Sequence, residues 1–165
     1  MTLAQINSLD REQFVQKLGG IYEHSQWVAE SVMQQRPFHS RDALRDLMRA
    51  AVENAGRDRQ LALLIAHPDL GTRARIGEVS AREQKGAGID HLSEHEYETL
   101  LMLNRQYRDK FGFPFIYAVR GSNKNDILEA LNVRLTSDVE DQLGQALREV
   151  HRIAAFRLED VVEEQ

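Results

Sequence analysis

Apolar residues recur every three or four positions along most of this 165-residue chain, which is the spacing of one face of an amphipathic helix. Serine and glycine stand where the apolar pattern starts and stops, as expected of helix caps. The pattern predicts helices over Arg11–Leu18, Ser25–Gln35, Ser40–Asn54, Arg57–Ala66, Ser93–Phe111, Asn125–Val133 and Ser137–Val161. The expected N-caps are Ser8, Ser40, Ser93 and Ser137, and the expected helix ends include Gly19, Gly56 and Gly112.

One stretch departs from the helical pattern. Phe113-Pro114-Phe115 breaks it, because proline lacks a backbone donor, and Ile116 to Arg120 has the composition of a short strand without an evident partner. The chain has only three prolines and no internal repeat. The sequence therefore predicts an all-α fold, with residues 1–165 forming a single-domain helical bundle that has a long C-terminal helix.

Composition narrows the classes of function. Hydrophobic residues make up 42% of the chain and charged residues 28%, which is typical of a globular protein. The net charge of -5 argues against a general nucleic-acid binder, because phosphate neutralisation needs a surplus of cations. The chain has no cysteine, which excludes disulfides, thiolate metal sites and a cysteine nucleophile. We find no membrane span or targeting signal, so we expect a cytoplasmic protein.

The first candidate for chemistry is His67, which follows an apolar helix and precedes Pro68. Proline disfavours helical geometry in the residue before it, so His67 is expected at the helix terminus. An imidazole titrates near neutrality and can act there as a general acid or base. The alternative is a histidine that only caps the last carbonyl groups of the helix. His67 alone does not separate these interpretations.

The second candidate is the segment Ser80-Ala81-Arg82-Glu83-Gln84. A serine followed three residues later by glutamate is a capping box, so Ser80 and Glu83 are explained without any function. The functional alternative is a carboxylate at Glu83 that orients a histidine, with the Gln84 amide contacting a polar ligand. Both interpretations stay open on these residues alone.

Arg157 is the most informative charged residue. The C-terminal apolar stripe runs through Leu143, Leu147, Val150, Ala154, Arg157 and Val161, and only Arg157 in it is charged. A guanidinium on a buried face needs anionic or carbonyl partners to offset its desolvation. Glu83 or a ligand carboxylate can serve, whereas a snorkelling side chain would reach solvent and need neither.

A metal site is the least supported hypothesis. His91 and His95 are four residues apart beside Glu94 and Glu98, a spacing that chelates zinc when both histidines share a helical face. His91 precedes the Ser93 cap, so the two imidazoles are not expected on one face. We expect no bound metal.

Four blocks of sequence carry a more specific signal. They are Ala66-His67-Pro68-Asp69-Leu70-Gly71, Ser80-Ala81-Arg82-Glu83-Gln84, Leu103-Asn104-x-x-Tyr107-x-x-Lys110-Phe111-Gly112-Phe113-Pro114-Phe115-Ile116, and Ile153 to Asp160. In this order they resemble the 2-oxo-4-hydroxy-4-carboxy-5-ureidoimidazoline (OHCU) decarboxylase family of urate degradation. The resemblance covers about Leu61 to Val162, and the first 60 residues fit in helical pattern only.

The resemblance implies an all-α enzyme without metal or organic cofactor, which forms a homodimer and decarboxylates OHCU to (S)-allantoin. It implies a catalytic role for His67, Glu83 and Arg157. The substrate contacts that it implies are Pro68, Ser80, Gln84, Phe113, Phe115 and Ile116. Two other classes remain as alternatives, namely a non-catalytic helical interaction module and a metal-dependent hydrolase that uses His67, His91 and His95.

Overall fold

The computed structural model describes residues 1–70 and 92–164. The chain divides into two compact units. The first unit comprises residues 1–66 and 150–165, and the second comprises residues 67–149. Over the described residues the prediction of an all-α fold is confirmed, and the long C-terminal helix is present. The assignment of the whole chain to one domain stays a prediction.

The described part of the first unit contains five α-helices, one 3₁₀ turn and the end of the C-terminal helix. In chain order they are α1 (Leu3–Ser8), α2 (Arg11–Leu18), α3 (Trp27–Val32), the 3₁₀ turn Met33–Gln35, α4 (Arg41–Glu53) and α5 (Arg57–Ala66). The predicted helix over Ser25–Gln35 is therefore shorter and finishes as a 3₁₀ turn, and α1 was not predicted. The core of this unit is apolar and includes Phe14, Val28, Leu44, Met48 and Leu64.

The described part of the second unit has α6 (Glu94–Phe111), α7 (Lys124–Arg134) and the first part of α8 (Val139–Val161). Its core is aromatic: Tyr107 lies with its ring centroid 4.5 Å from that of Phe111 and 5.5 Å from that of Phe115. Offset and edge-on aromatic pairs of this kind add to the free energy gained from burial. No helix among the described residues is long and apolar enough to cross a membrane.

Local capping signals were partly right. Ser93 accepts a hydrogen bond from the Glu96 amide at 3.1 Å, as predicted, and Ser40 caps α4 in the same way. The predicted caps Ser8 and Ser137 are wrong. Asp10 caps α2, accepting from the Gln13 amide at 2.8 Å, and the Asp138 carboxylate accepts from the Asp141 amide at 2.8 Å. In both places an aspartate closer to the helix supplies the acceptor, and a carboxylate at an N-terminus also gains from the helix dipole.

The predicted strand from Ile116 to Arg120 is wrong. Residues 116–119 are irregular and residue 120 lies in a turn. The described residues contain no strand, and their β-type pairing is confined to the isolated bridge between Thr2 and Glu163. The apolar composition of Ile116–Arg120 reflects burial of an irregular segment, which composition alone does not distinguish from a strand.

Candidate active site

His67 lies where the sequence places it. Helix α5 ends at Ala66, and His67 begins the bend that leads into Pro68. The residue is half-buried, and its Nδ1 atom is buried. The structure thus holds a titratable ring at the boundary between a helix end and a loop, where a proton donor or acceptor is close to both the core and the solvent.

The loop after His67 is tied to the long helix α6. Asp69 Oδ2 accepts a hydrogen bond from Arg108 Nη1 at 3.3 Å. Both side chains are partly exposed, so this ion pair contributes little to stability. Its geometric effect is clearer, because it anchors the residue two positions after His67 to a regular helix.

Three predicted site residues, Ser80, Glu83 and Gln84, lie outside the described residues. The capping box at Ser80, the orientation of His67 by Glu83 and the pairing of Glu83 with Arg157 therefore stay predictions.

Arg157 is paired, as its position on an apolar stripe requires. In the first unit its Nη2 atom lies 2.9 Å from Glu23 Oε2, and its Nη1 atom donates to the Gly20 carbonyl at 3.4 Å. The side chains of Arg157 and Glu23 are 15% and 20% exposed. The guanidinium is thus held by a carboxylate and does not snorkel into solvent.

Sequence reasoning missed Glu23. The residue follows Gly19-Gly20 and the buried pair Ile21 and Tyr22, so it is an acidic residue in a loop whose neighbours belong to the core. A charge in such a place is a candidate partner for a buried cation. That signal does not identify Arg157 as the partner, because 134 residues separate the two.

The predicted contacts Phe113, Phe115 and Ile116 are all buried in the second unit. Gly112 ends α6 in the left-handed region with φ of 81°, which a residue with a side chain rarely adopts, and turns the chain into this segment. Pro68 is half-buried in the same unit. The segment 113–116 is therefore a buried, apolar piece of irregular backbone.

Two buried charged side chains hold the backbone at Ile116 and Ala118, where this segment ends, and sequence reasoning missed both. Arg134 Nη1 donates to the Ile116 carbonyl at 2.8 Å, and Glu149 Oε2 accepts from the Ala118 amide at 3.1 Å. Both side chains are buried in the core of the second unit. A charged residue at a core position of a helix is the sequence signal that could have identified Arg134 and Glu149. Helix periodicity alone does not distinguish these two residues from other charged positions.

Arg134 belongs to a buried polar cluster. Its Nε atom donates to Gln142 Oε1 at 2.7 Å, and the Tyr107 hydroxyl donates to the same oxygen at 2.8 Å. Burial raises the pKa of Tyr107, while the nearby Arg134 charge lowers it in part. The phenol therefore stays protonated and acts as a donor.

Potential metal ligands are dispersed. Within residues 1–70 and 92–164, no three His, Asp or Glu side chains lie close enough together to hold a metal ion. His95 is exposed in the first turn of α6, and His91 lies outside the described residues. The expectation of no metal stays a prediction.

Comparison with known proteins identifies the family. The sequence profile described as OHCU decarboxylase matches residues 7–159. A 2-oxo-4-hydroxy-4-carboxy-5-ureidoimidazoline decarboxylase of Haloferax volcanii is 48% identical over 158 residues, which cover 96% of this chain and 94% of that protein. A uric acid degradation bifunctional protein of Bacillus subtilis is 46% identical over 99% of this chain and 33% of its own length.

A solved structure agrees with the sequence matches. The crystal structure of (S)-allantoin synthase superposes with a TM-score of 0.81 at 34% identity, covering 99% of this chain and 55% of that one. The profile match spans most of the chain, and the Haloferax relative matches along nearly its whole length. The chain belongs to the OHCU decarboxylase family.

Proposed function

We propose that this protein catalyses the cofactor-independent decarboxylation of OHCU to (S)-allantoin in urate (purine) catabolism. The observation that carries the proposal is the match to the Haloferax volcanii decarboxylase, at 48% identity over nearly the full length of both chains. The family profile over residues 7–159 supports it independently. The site residues and their roles are part of the same proposal.

The chemistry of the decarboxylation sets the requirements that the protein must meet. CO2 leaves from C4, and the neighbouring C5=N double bond of the imidazoline ring accepts the electron pair, which gives an enol between C4 and C5. The 4-hydroxyl oxygen of this enol becomes the ring carbonyl of allantoin when C5 takes up a proton. The substrate carboxylate has to stand out of the ring plane, so that the breaking bond overlaps the π system. One proton must then reach one face of the carbon, because the product has a single configuration.

His67 is the proposed proton-transfer group, because imidazole is the side chain best suited to proton transfer near neutral pH and His67 lies at the end of α5. In this proposal Glu83 fixes the orientation and tautomer of the ring. Arg157 supplies the cation that stabilises the developing oxyanion. Its ion pair with Glu23 supports this role by fixing the guanidinium in one place before substrate binds.

Substrate binding is assigned to polar and apolar groups together. Ser80 and Gln84 offer a hydroxyl and an amide to the polar ring. The backbone at Phe113, Phe115 and Ile116 offers hydrogen bonds, while the buried phenylalanine rings exclude water. Pro68 directly follows His67 in the sequence and is the last of the proposed substrate contacts. By family resemblance we further propose a homodimer that acts in the cytoplasm.

The proposal is tested by supplying freshly generated OHCU and following optically active allantoin by circular dichroism. His67→Asn should lower the decarboxylation rate at least about 10²-fold with the fold intact, which is the usual loss for a general acid–base group. His39→Asn, a change at an exposed histidine, is the matched control. Near-native turnover in His67→Asn would remove the imidazole from the mechanism.

The same assay separates the alternatives. Activity that persists in chelator, with no stoichiometric metal by elemental analysis, argues against a metal-dependent hydrolase. One zinc per chain and loss of activity on its removal would favour that class instead. A wild-type protein that never accelerates decarboxylation would favour the non-catalytic helical module.

A further inference from the structure

The backbone around Tyr117 has an unusual set of partners. The Ile116 carbonyl accepts from Arg134 and the Ala118 amide donates to Glu149, whereas the Tyr117 amide and carbonyl make no hydrogen bond with any of the described residues. The neighbouring residues, Phe115 and Ile116, are 1% and 2% exposed. Tyr117 itself is half-buried, so its backbone amide and carbonyl lie beside the core and are open to a partner that the described residues do not supply.

The geometry of the peptide unit links these observations. The peptide bonds on both sides of Tyr117 are trans, so the carbonyl and amide of each plane point in opposite directions. Arg134 holds the Ile116 carbonyl and thereby directs the Tyr117 amide away from itself. Glu149 holds the Ala118 amide and directs the Tyr117 carbonyl away in the same manner. The side chains of Arg134 and Glu149 thus bind and orient these backbone groups, as a neighbouring strand does in a sheet.

Arg134 is rigid enough for such a task. Besides the Ile116 carbonyl it binds Gln142 Oε1 at 2.7 Å, and its guanidinium carbon lies 4.6 Å from the centre of the Phe115 ring. The residue is 7% exposed, and no described carboxylate lies within ion-pair distance of it. A buried cation with only neutral acceptors carries a desolvation cost that a purely structural role does not require.

We propose that Arg134 and Glu149 are positioning residues, which fix the two peptide planes around Tyr117 so that its amide and carbonyl are presented to the substrate. The inference rests on the proposed function. A donor and an acceptor from one residue match the adjacent N–H and C=O of a ureido group or a ring amide. Neither Arg134 nor Glu149 touches the substrate, and both act through the backbone.

The experiment compares Arg134→Met with Arg134→Lys in the full-length protein, using OHCU turnover at varied substrate concentration. Arg134→Met releases the Ile116 carbonyl and should raise KM at least about tenfold, with a much smaller change in kcat. Arg134→Lys keeps a cation within reach of that carbonyl and should restore KM to within about threefold of wild type. Tyr107→Phe is the matched control, because it disturbs the same buried cluster without releasing Ile116.

A second pair of variants keeps the test decisive if Arg134→Met does not fold. Glu149→Gln retains an acceptor for the Ala118 amide and should keep KM near that of wild type, whereas Glu149→Leu should raise it as Arg134→Met does. Equal KM values in Arg134→Met and Tyr107→Phe, or in Glu149→Leu and Glu149→Gln, would overturn the inference. A wild-type protein without turnover would overturn the proposed function itself. Wild-type turnover is measured independently of the KM ratios between variants.

Discussion

Arg157 in the first unit is 15% exposed and Arg134 in the second is 7% exposed, and the two arginines differ in what they bind. Arg157 in the first unit is paired with the Glu23 carboxylate at 2.9 Å. Arg134 in the second unit meets a side-chain amide, a carbonyl and a phenol. The first charge is locally neutralised and the second is not. The difference indicates that burial of an arginine requires hydrogen-bond acceptors but not an opposite charge.

Each unit also buries one tyrosine hydroxyl, again with different partners. Tyr22 lies 2.8 Å from His151 Nδ1, whereas Tyr107 donates to Gln142 Oε1 at the same distance. Glutamine does not titrate, but histidine does. The two units therefore have polar clusters of similar geometry and different sensitivity to acid.

The largest expected effect is on catalytic activity, and it tests whether Arg157 and Arg134 have different roles. Arg157→Met should lower OHCU turnover at least about 10²-fold, because no cation would meet the developing oxyanion. Arg157→Lys should also lose much of the activity, since a point charge lacks the planar fork. Initial rates at saturating substrate measure both effects.

Glu23→Gln is the matched control for Arg157, because it keeps an acceptor for the guanidinium and removes the charge. It should retain most of the turnover. Full activity in Arg157→Met would place the anion-stabilising role on another residue and would remove the functional difference between the two arginines.

The next largest effect concerns the Tyr22–His151 pair and is measured as the dependence of the free energy of unfolding on pH. Burial lowers the pKa of His151 to about 4, with Arg49 lowering it further and Glu53 opposing the shift. Glu53 Oε1 lies 3.8 Å from His151 Nε2, but a neutral ring forms no ion pair with it near pH 7. The unfolded chain binds this proton near pH 6.5. Stability contributed by neutral His151 is therefore complete above pH 6.5 and is lost as pH falls toward 4.

The expected loss over this window is about 3 kcal/mol, since each unit of pKa shift corresponds to about 1.4 kcal/mol. Urea melts at several pH values should show it in wild type and show much less of it in His151→Gln. His39→Gln, at an exposed histidine, is the control. Equal pH dependence in wild type and His151→Gln would exclude this imidazole as the source.

The smallest effect concerns α6, whose Asn104 lies one turn before Tyr107. Asn104 is 4% exposed, and neither of its amide atoms makes a hydrogen bond. Asn104→Leu should therefore raise the free energy of unfolding by about 1 kcal/mol, because it replaces an unsatisfied buried amide with an apolar side chain that has the same number of heavy atoms. Urea melts measure the change, with Asn132→Leu on the exposed face of α7 as control. A loss of stability would show that the amide is satisfied in solution.

Local sequence was sufficient for most of the helical framework. The caps at Ser40 and Ser93, the stop at Gly112 and the end of α5 before His67 each depend on residues within one turn of each other. Such signals act through hydrogen bonds of fixed short reach, so they are readable without a fold. The same locality made Ser8 and Ser137 ambiguous, because an aspartate nearby offered a competing cap.

The sequence by itself determined the helical class, the family resemblance, the position of His67 and the need of Arg157 for a partner. Only the tertiary structure decided that the partner is Glu23, that Tyr22 meets His151, and that Arg134 and Glu149 hold the backbone around Tyr117. Periodicity shows which face of a helix is buried but not which distant residue will cover it. A charged residue at a buried position can therefore be recognised in the sequence as one that needs a partner. Tertiary packing determines which residue, often far away in the chain, is that partner.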